Sequence, residues 1–236
     1  MTEPTQFPGF SRDAIQFLVD LSQHNERSWF QPRKAEYERL LKEPLEALCA
    51  ALGERFEAQK LPLRADPTKS PFRIYRDLRF SNDKTPYKTH ISASFPWAGQ
   101  GSGAGAYFHF QPGEMFAGGG VWHPEPAQLA AWRRAVDTDP AAVMGALEDP
   151  GFVSTFGHVG GESLKRVPTG FAPDHPRAEL LKLKDVTFGR PLSDVEVLSP
   201  TLPDLLAATF AAAVPVLELL ARLSPGETRP GWLRGG

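Results

Sequence analysis

Apolar residues recur at helical spacing in the first quarter of the chain and at strand spacing in its middle. Ser11 before Arg-Asp-Ala forms a helix N-cap, and Ala14, Ile15, Phe17, Leu18, Val19 and Leu21 supply one apolar face, so the spacing predicts a helix over about 11–23. His24-Asn25 ends it, and Asn25 is placed to cap a short turn carrying Trp29 and Phe30. From Pro32 to Phe56, Tyr37, Leu40, Leu41, Leu45, Leu48, Cys49, Leu52 and Phe56 keep a helical period, with Pro44 expected to kink or split the run. The texture then changes. LPLRADPTKSP reads as a loop, and FRIYRDLRF, THISASFPW, GAGAYFHFQP and EMFAGGGVW carry the aromatic and β-branched residues of short strands. Alternation puts Tyr107, His109 and Gln111 on one face of a strand and Phe108 and Phe110 on the other, a functional or wet face against a buried one.

Helical patterning returns over Pro126–Val136 and Pro140–Leu147. GESLKRVPTGF is read as a further strand, HPRAELLKLKD as a short helix, DVTFGRPL as a strand or extended segment, and Leu202–Leu223 as a closing helix. Helices, then strands, then helices predict the α+β class: a single domain over 1–236, with a largely antiparallel central sheet flanked by N-terminal and C-terminal helices and a loosely ordered tail over 224–236. GQGSGAGAYF does not make a nucleotide-binding fingerprint, because the segment after Gly105 has strand rather than helix patterning.

Composition adds limits. With 236 residues, 41% hydrophobic and 23% charged, the chain can bury a core without staples. Its lone cysteine, Cys49, lies in an apolar helical run far from any cation that would activate it, and reads as a structural thiol in a reducing, cytoplasmic compartment. The N-terminus lacks a basic segment followed by an apolar one. The most apolar run, LLAATFAAAVPVLELLARL, carries Pro215, Glu218 and Arg222 and reads as a packed helix, so no membrane association is expected.

Net charge is −2, yet Arg64, Lys69, Arg73, Arg76, Arg79, Lys84 and Lys88 stand against only Asp66, Asp77 and Asp83 between Arg64 and His90, a local +4 that leaves −6 elsewhere. Arginine forks suit carboxylate and phosphate, and Lys84 and Lys88 add mobile point charges. Arg73, Arg76, Arg79, Lys84, Tyr87 and Lys88 are therefore candidate anion-binding residues, and Asp77, His90 and His109 candidate catalytic ones, with a small anionic ligand as the expected partner. A competing reading has the arginines pinned to Asp77, Asp83 and more distant carboxylates.

FRIYRDLRFSNDKTPYKTH resembles the signature segment of the family known as domain of unknown function 2461. FPGF with LVDLSQHNERSWF, YFHFQPGEMFAGGGVW and LKRVPTGFAPDHPRAELLKLKD extend the resemblance in order over about residues 7–223. It implies one domain in a cytoplasmic protein and marks Asn25, Glu26, Arg27, Trp29 and Phe30, with Arg73, Arg76, Asp77, Arg79, Lys84, Tyr87, Lys88 and His90, as family motif positions. It supplies no activity, substrate or cofactor.

A second constellation, His109, Gln111, Glu114 and His123, faintly resembles a cupin metal site. Gln111 stands where a second histidine would, and a hydrogen-bonded strand pair is the competing reading. Gly118 to Gly120 allow close backbone approach, and Trp122 with His123 would wall a ligand there. The functional expectation is a soluble protein with a basic site for a phosphate or carboxylate ligand, either an enzyme of unknown reaction and unknown cofactor or a binding protein. The alternatives are a nucleic-acid-associated module stacking bases on Trp97 or Trp122, a module docking an acidic protein, and a metal-dependent hydrolase.

Overall fold

A computed structural model of the chain describes residues 7–79, 83–101 and 103–224; Ser81 and Asn82 of the basic segment, and nearly all of the tail, lie outside them. Helix α1 spans Arg12–Gln23, and the Ser11 hydroxyl accepts the Ala14 N–H at 3.1 Å. The long helical run is less regular than its apolar period: α2 (Arg27–Phe30), a 3-10 turn (Gln31–Arg33), α3 (Lys34–Tyr37), a π turn (Glu38–Lys42) and α4 (Glu43–Ala58) follow one another directly. Pro44 offers no N–H to the preceding turn and its ring crowds the carbonyl four residues back, so the helix widens just before it instead of splitting.

Four strands, β1 (Ile91–Pro96), β2 (Gly105–Gln111), β3 (Glu114–Val121) and β4 (Val186–Pro191), form one sheet in the order β1-β2-β3-β4, every pair antiparallel. Ala93 pairs with Phe108 and Phe108 with Ala117, which aligns one buried face across three strands. The remaining helices are α5 (Pro126–Thr138), α6 (Pro140–Leu147), α7 (Pro150–Phe156), α8 (Ala178–Lys182), α9 (Asp194–Val197) and α10 (Leu202–Arg222). Sheet and helices share one core, in which Phe95 meets Phe56 of α4 and Phe210 of α10 at centroid distances of 5.8 and 5.5 Å. Phe10, ahead of α1, packs on Phe108 and Phe110.

Several expectations change. Over its described residues FRIYRDLRF forms no continuous strand: Pro71 bridges Ala93 and Tyr75 bridges Tyr87, but Pro71 and Pro86 have no N–H to extend a ladder. GESLKRVPTGF contributes only the bridge Ser163–Leu183. The short helices α7 and α9, started by the Asp149 and Ser193 side chains, carried too few turns to show a period. Pro215 sits inside α10, which runs unbroken to Arg222 because its apolar residues are held on the sheet and on α4. By length (21 residues) and mean hydropathy (1.8), α10 passes as a membrane span, but 56% of that window is buried inside this fold.

Single bridges partly cover the sheet's outer edges. Leu63–Trp97 and Pro71–Ala93 bridges meet β1, and Gly160 exchanges both hydrogen bonds with Thr187 of β4 at 2.7 and 3.0 Å.

Candidate functional site

Antiparallel register carries the predicted alternation across the sheet. His109 lies between Ser92 and Phe116, and Tyr107 between Ser94 and Gly118, on the face opposite Phe108 and Phe110. That face floors a cleft of about 560 Å³, a volume usual for small-molecule sites. Phe72, Lys88 and His90 line it beyond β1, while Trp122, Thr187 and Gly189 line it at the other side. From Phe72, hydrogen-bonded to Ser92, to β4 there are four strand spacings of about 4.8 Å, so the cleft crosses the sheet over about 19 Å.

Polar groups gather at one end. The Tyr107 hydroxyl lies 3.1 Å from His109 Nδ1, and the His90 and His109 ring centroids are 4.4 Å apart. Burial, then the neighbouring His109 and Lys88, push the His90 pKa down to about 4, with a hydrogen bond to Gln111 acting in the opposite sense. Burial also lowers the pKa of His109, although Glu114 and Gln111 act against it. Both imidazoles are therefore neutral near pH 7. Burial raises the Tyr107 pKa, while its hydrogen bond with Ser92 acts the other way. Lys88 is lowered by burial and by Arg73, with no carboxylate among the causes, and its Nζ lies 5.2 Å from the centroid of the Phe72 ring. Two neutral imidazoles, a phenol and an ammonium can bind an acid and move protons at it.

The basic segment divides. Arg76 binds Asp83 and the Thr85 hydroxyl, Arg79 forks onto Asp77 with Nη2–Oδ2 at 2.6 Å, and Lys84 Nζ donates to the Leu78 carbonyl at 3.1 Å. Hydrogen bonds from Arg79 hold the Asp77 pKa near about 2, and the Thr85 N–H followed by Arg76 does the same for Asp83. These contacts tie the loop to itself, and none of its described residues from Arg76 to Lys84 lines the cleft, so Asp77 stands apart from the two histidines. Arg73 is exposed beside Lys88. Tyr87 is a core residue, 1% exposed, stacked on Phe30 at 4.0 Å, so its ring faces no ligand.

Asn25 does more than end α1. Its Nδ2 donates to the Tyr87 carbonyl at 2.8 Å and its Oδ1 accepts the Tyr87 N–H at 3.0 Å, which fixes the backbone one residue before Lys88. Of the second constellation, His109 and Glu114 line the cleft, and Gln111 and His123 do not. His123, at the far end of β3, donates its N–H to Asp185 at 2.7 Å, and among the described residues no group of three or more His, Cys, Asp or Glu is arranged to hold a metal ion. Trp97 is buried and donates to the Gln100 carbonyl; Trp122, 44% exposed, lines the cleft without His123. Sequence reasoning missed Phe72, Ser92, Phe116, Thr187 and Gly189. Alternation within EMFAGGGVW could have placed Phe116 with Gly118, but the β3–β4 pairing had no local signal.

Fold and cleft define an α+β protein with a largely apolar, aromatic-lined cleft, polar at one end, on the open face of a four-stranded antiparallel sheet. The chain belongs to the family described as conserved hypothetical protein (DUF2461), whose model matches residues 13–218. No curated protein and no solved structure matches it.

Proposed function

We propose that the cleft binds a small molecule through one carboxylate or phosphate group, held by Lys88, with His90, His109 and Tyr107 in position to exchange protons with it. The observation that supports this reading is the half-buried Lys88 ammonium at the cleft, where burial and Arg73 both disfavour its charge and, among the described residues, no carboxylate offsets them, Glu114 of the same cleft included. A buried cation without a counterion is costly, and an incoming anion supplies the missing partner. This moves the anion site from the tip of the basic segment to its end. The nucleic-acid and protein-docking readings draw no support from Arg76 and Arg79, whose heads are turned onto Asp83 and Asp77.

Calorimetric titration with small carboxylates and phosphates tests the reading. The expected result is binding that Lys88→Ala weakens about tenfold or more, the worth of a charge-assisted hydrogen bond, and that Arg79→Ala leaves unchanged. Failure of every acid to bind, or equal affinity in the Lys88→Ala protein, would refute it.

A further inference from the structure

We infer that the acid bound in the cleft carries a flat aromatic or heteroaromatic body, and that Gly189 is the position that admits the ring. This rests on the acid-binding reading above and names the class of ligand.

Three successive glycines in β3 are explained by the fold. A Cβ on Gly118 would strike the Phe188 carbonyl, one on Gly119 would stand 2.6 Å from the Gly105 oxygen, and one on Gly120, at φ +120°, would strike the Val186 carbonyl. Gly189 has no such reason. Its backbone is not left-handed, and a Cβ there would meet Phe116 Cδ2 at 3.5 Å and the Ala117 oxygen at 3.7 Å, both ordinary contacts. Glycine inside a strand weakens it, so a position that tolerates a side chain and lacks one calls for another cause. Here the vacant volume belongs to the cleft, which Gly189 lines.

Register sharpens the shape. Gly189 pairs with Gly118 and Gly118 with Tyr107, so the open position at Gly189 lies across β3 from a phenol ring that also lines the cleft. In the adjoining row Phe116 stacks on His109 at 4.9 Å and 19°, and it lies 5.7 Å from Tyr107. The exposed indole of Trp122 stands at the same side of the cleft as Gly189 and Thr187. A gap in the floor at Gly189, bordered by rings, accepts a planar group lying on the peptide backbone there, while Lys88 and His90 take the acid at the other end. Contacts among rings add about threefold to tenfold in affinity beyond the area they cover.

Titration calorimetry with 2-naphthoate, its saturated counterpart decahydro-2-naphthoate and inorganic phosphate separates the outcomes, on the wild-type protein and on Gly189→Leu, Gly189→Ala and Lys88→Ala. The inference requires that 2-naphthoate binds at least about threefold more tightly than the saturated acid. It also requires that Gly189→Leu, melting near the wild-type temperature, loses 2-naphthoate. Should the leucine variant fail to fold, Gly189→Ala must weaken 2-naphthoate at an unchanged melting temperature. Equal affinity for the two carboxylates overturns the flat body and leaves the acid site standing. Unaltered naphthoate binding in a folded Gly189→Leu protein overturns the role of Gly189. If neither carboxylate nor phosphate binds, the acid-binding reading falls and this inference with it.

Discussion

Replacing Asn25 by alanine removes both hydrogen bonds that its carboxamide makes to the Tyr87 backbone, at 2.8 and 3.0 Å. Each such bond is worth about 0.5–1.5 kcal/mol net, and a buried peptide group left without a partner costs about 1–3 kcal/mol. Asn25 is only half-buried, so water recovers part of the loss. The expected destabilisation is about 2–3 kcal/mol, which in a chain of this size lowers the melting temperature by roughly 4–12 °C. Urea unfolding followed by tryptophan fluorescence measures the free energy, and hydrogen exchange at the Tyr87 amide reports the local event. Asn25→Asp, which keeps the acceptor and loses the donor, is expected to fall between wild type and alanine. A loss below about 0.5 kcal/mol, inside the usual scatter of surface substitutions, would refute the clamp. So would unchanged exchange at Tyr87, because the argument needs that amide to lose its partner. Since Lys88 follows Tyr87 directly, the alanine protein should also bind acids more weakly than its residual stability alone accounts for.

Stability is expected to depend on pH in two separate windows. His90 titrates lower in the folded than in the unfolded chain, so its contribution is present above the unfolded value of about 6.5 and is lost as pH falls through about 4. His90→Gln should flatten the loss between those values, measured by urea midpoints against pH. Asp77 and Asp83 are also depressed, to about 2, and their contribution is expected to disappear only between about 3.9 and about 2. Gly119→Ala should destabilise by about 1–3 kcal/mol, because its Cβ would stand 2.6 Å from a backbone oxygen that cannot rotate away; a thermal melt indistinguishable from wild type would contradict the close approach.

The parts of this structure that were legible in the sequence are those decided within a few residues. The cap at Ser11, the helix at Pro140–Leu147 and the two-faced strand holding Tyr107 and His109 all follow from local spacing. Lys88, His90 and His109 were singled out by their chemistry, and the fold brings these three together at the cleft. The rest depended on long-range geometry. Asn25 looks like a cap until the chain returns 62 residues later to be clamped, and Arg76 and Arg79 look like ligand forks until the loop folds them onto its own aspartates. The closing helix over Leu202–Leu223 was legible from its apolar pattern despite Pro215, and burial on the sheet holds it through that proline. Gly189 carries information only through its partner Gly118, and that register is set by tertiary packing.

The bridges at the two sheet edges bear on how this protein meets others. An uncovered edge strand is a template for another chain's backbone, the usual first step in strand-swapped assemblies and fibrils. Here the chain segments around Leu63 and Pro71 occupy one edge and Gly160 the other, so backbone donors and acceptors that would recruit a foreign strand are partly occupied from within. Lengthening the sheet would first require peeling one of these segments away. The open cleft face, by contrast, is made of strands already hydrogen-bonded to their neighbours, so it presents rings and charge rather than unpaired peptide groups.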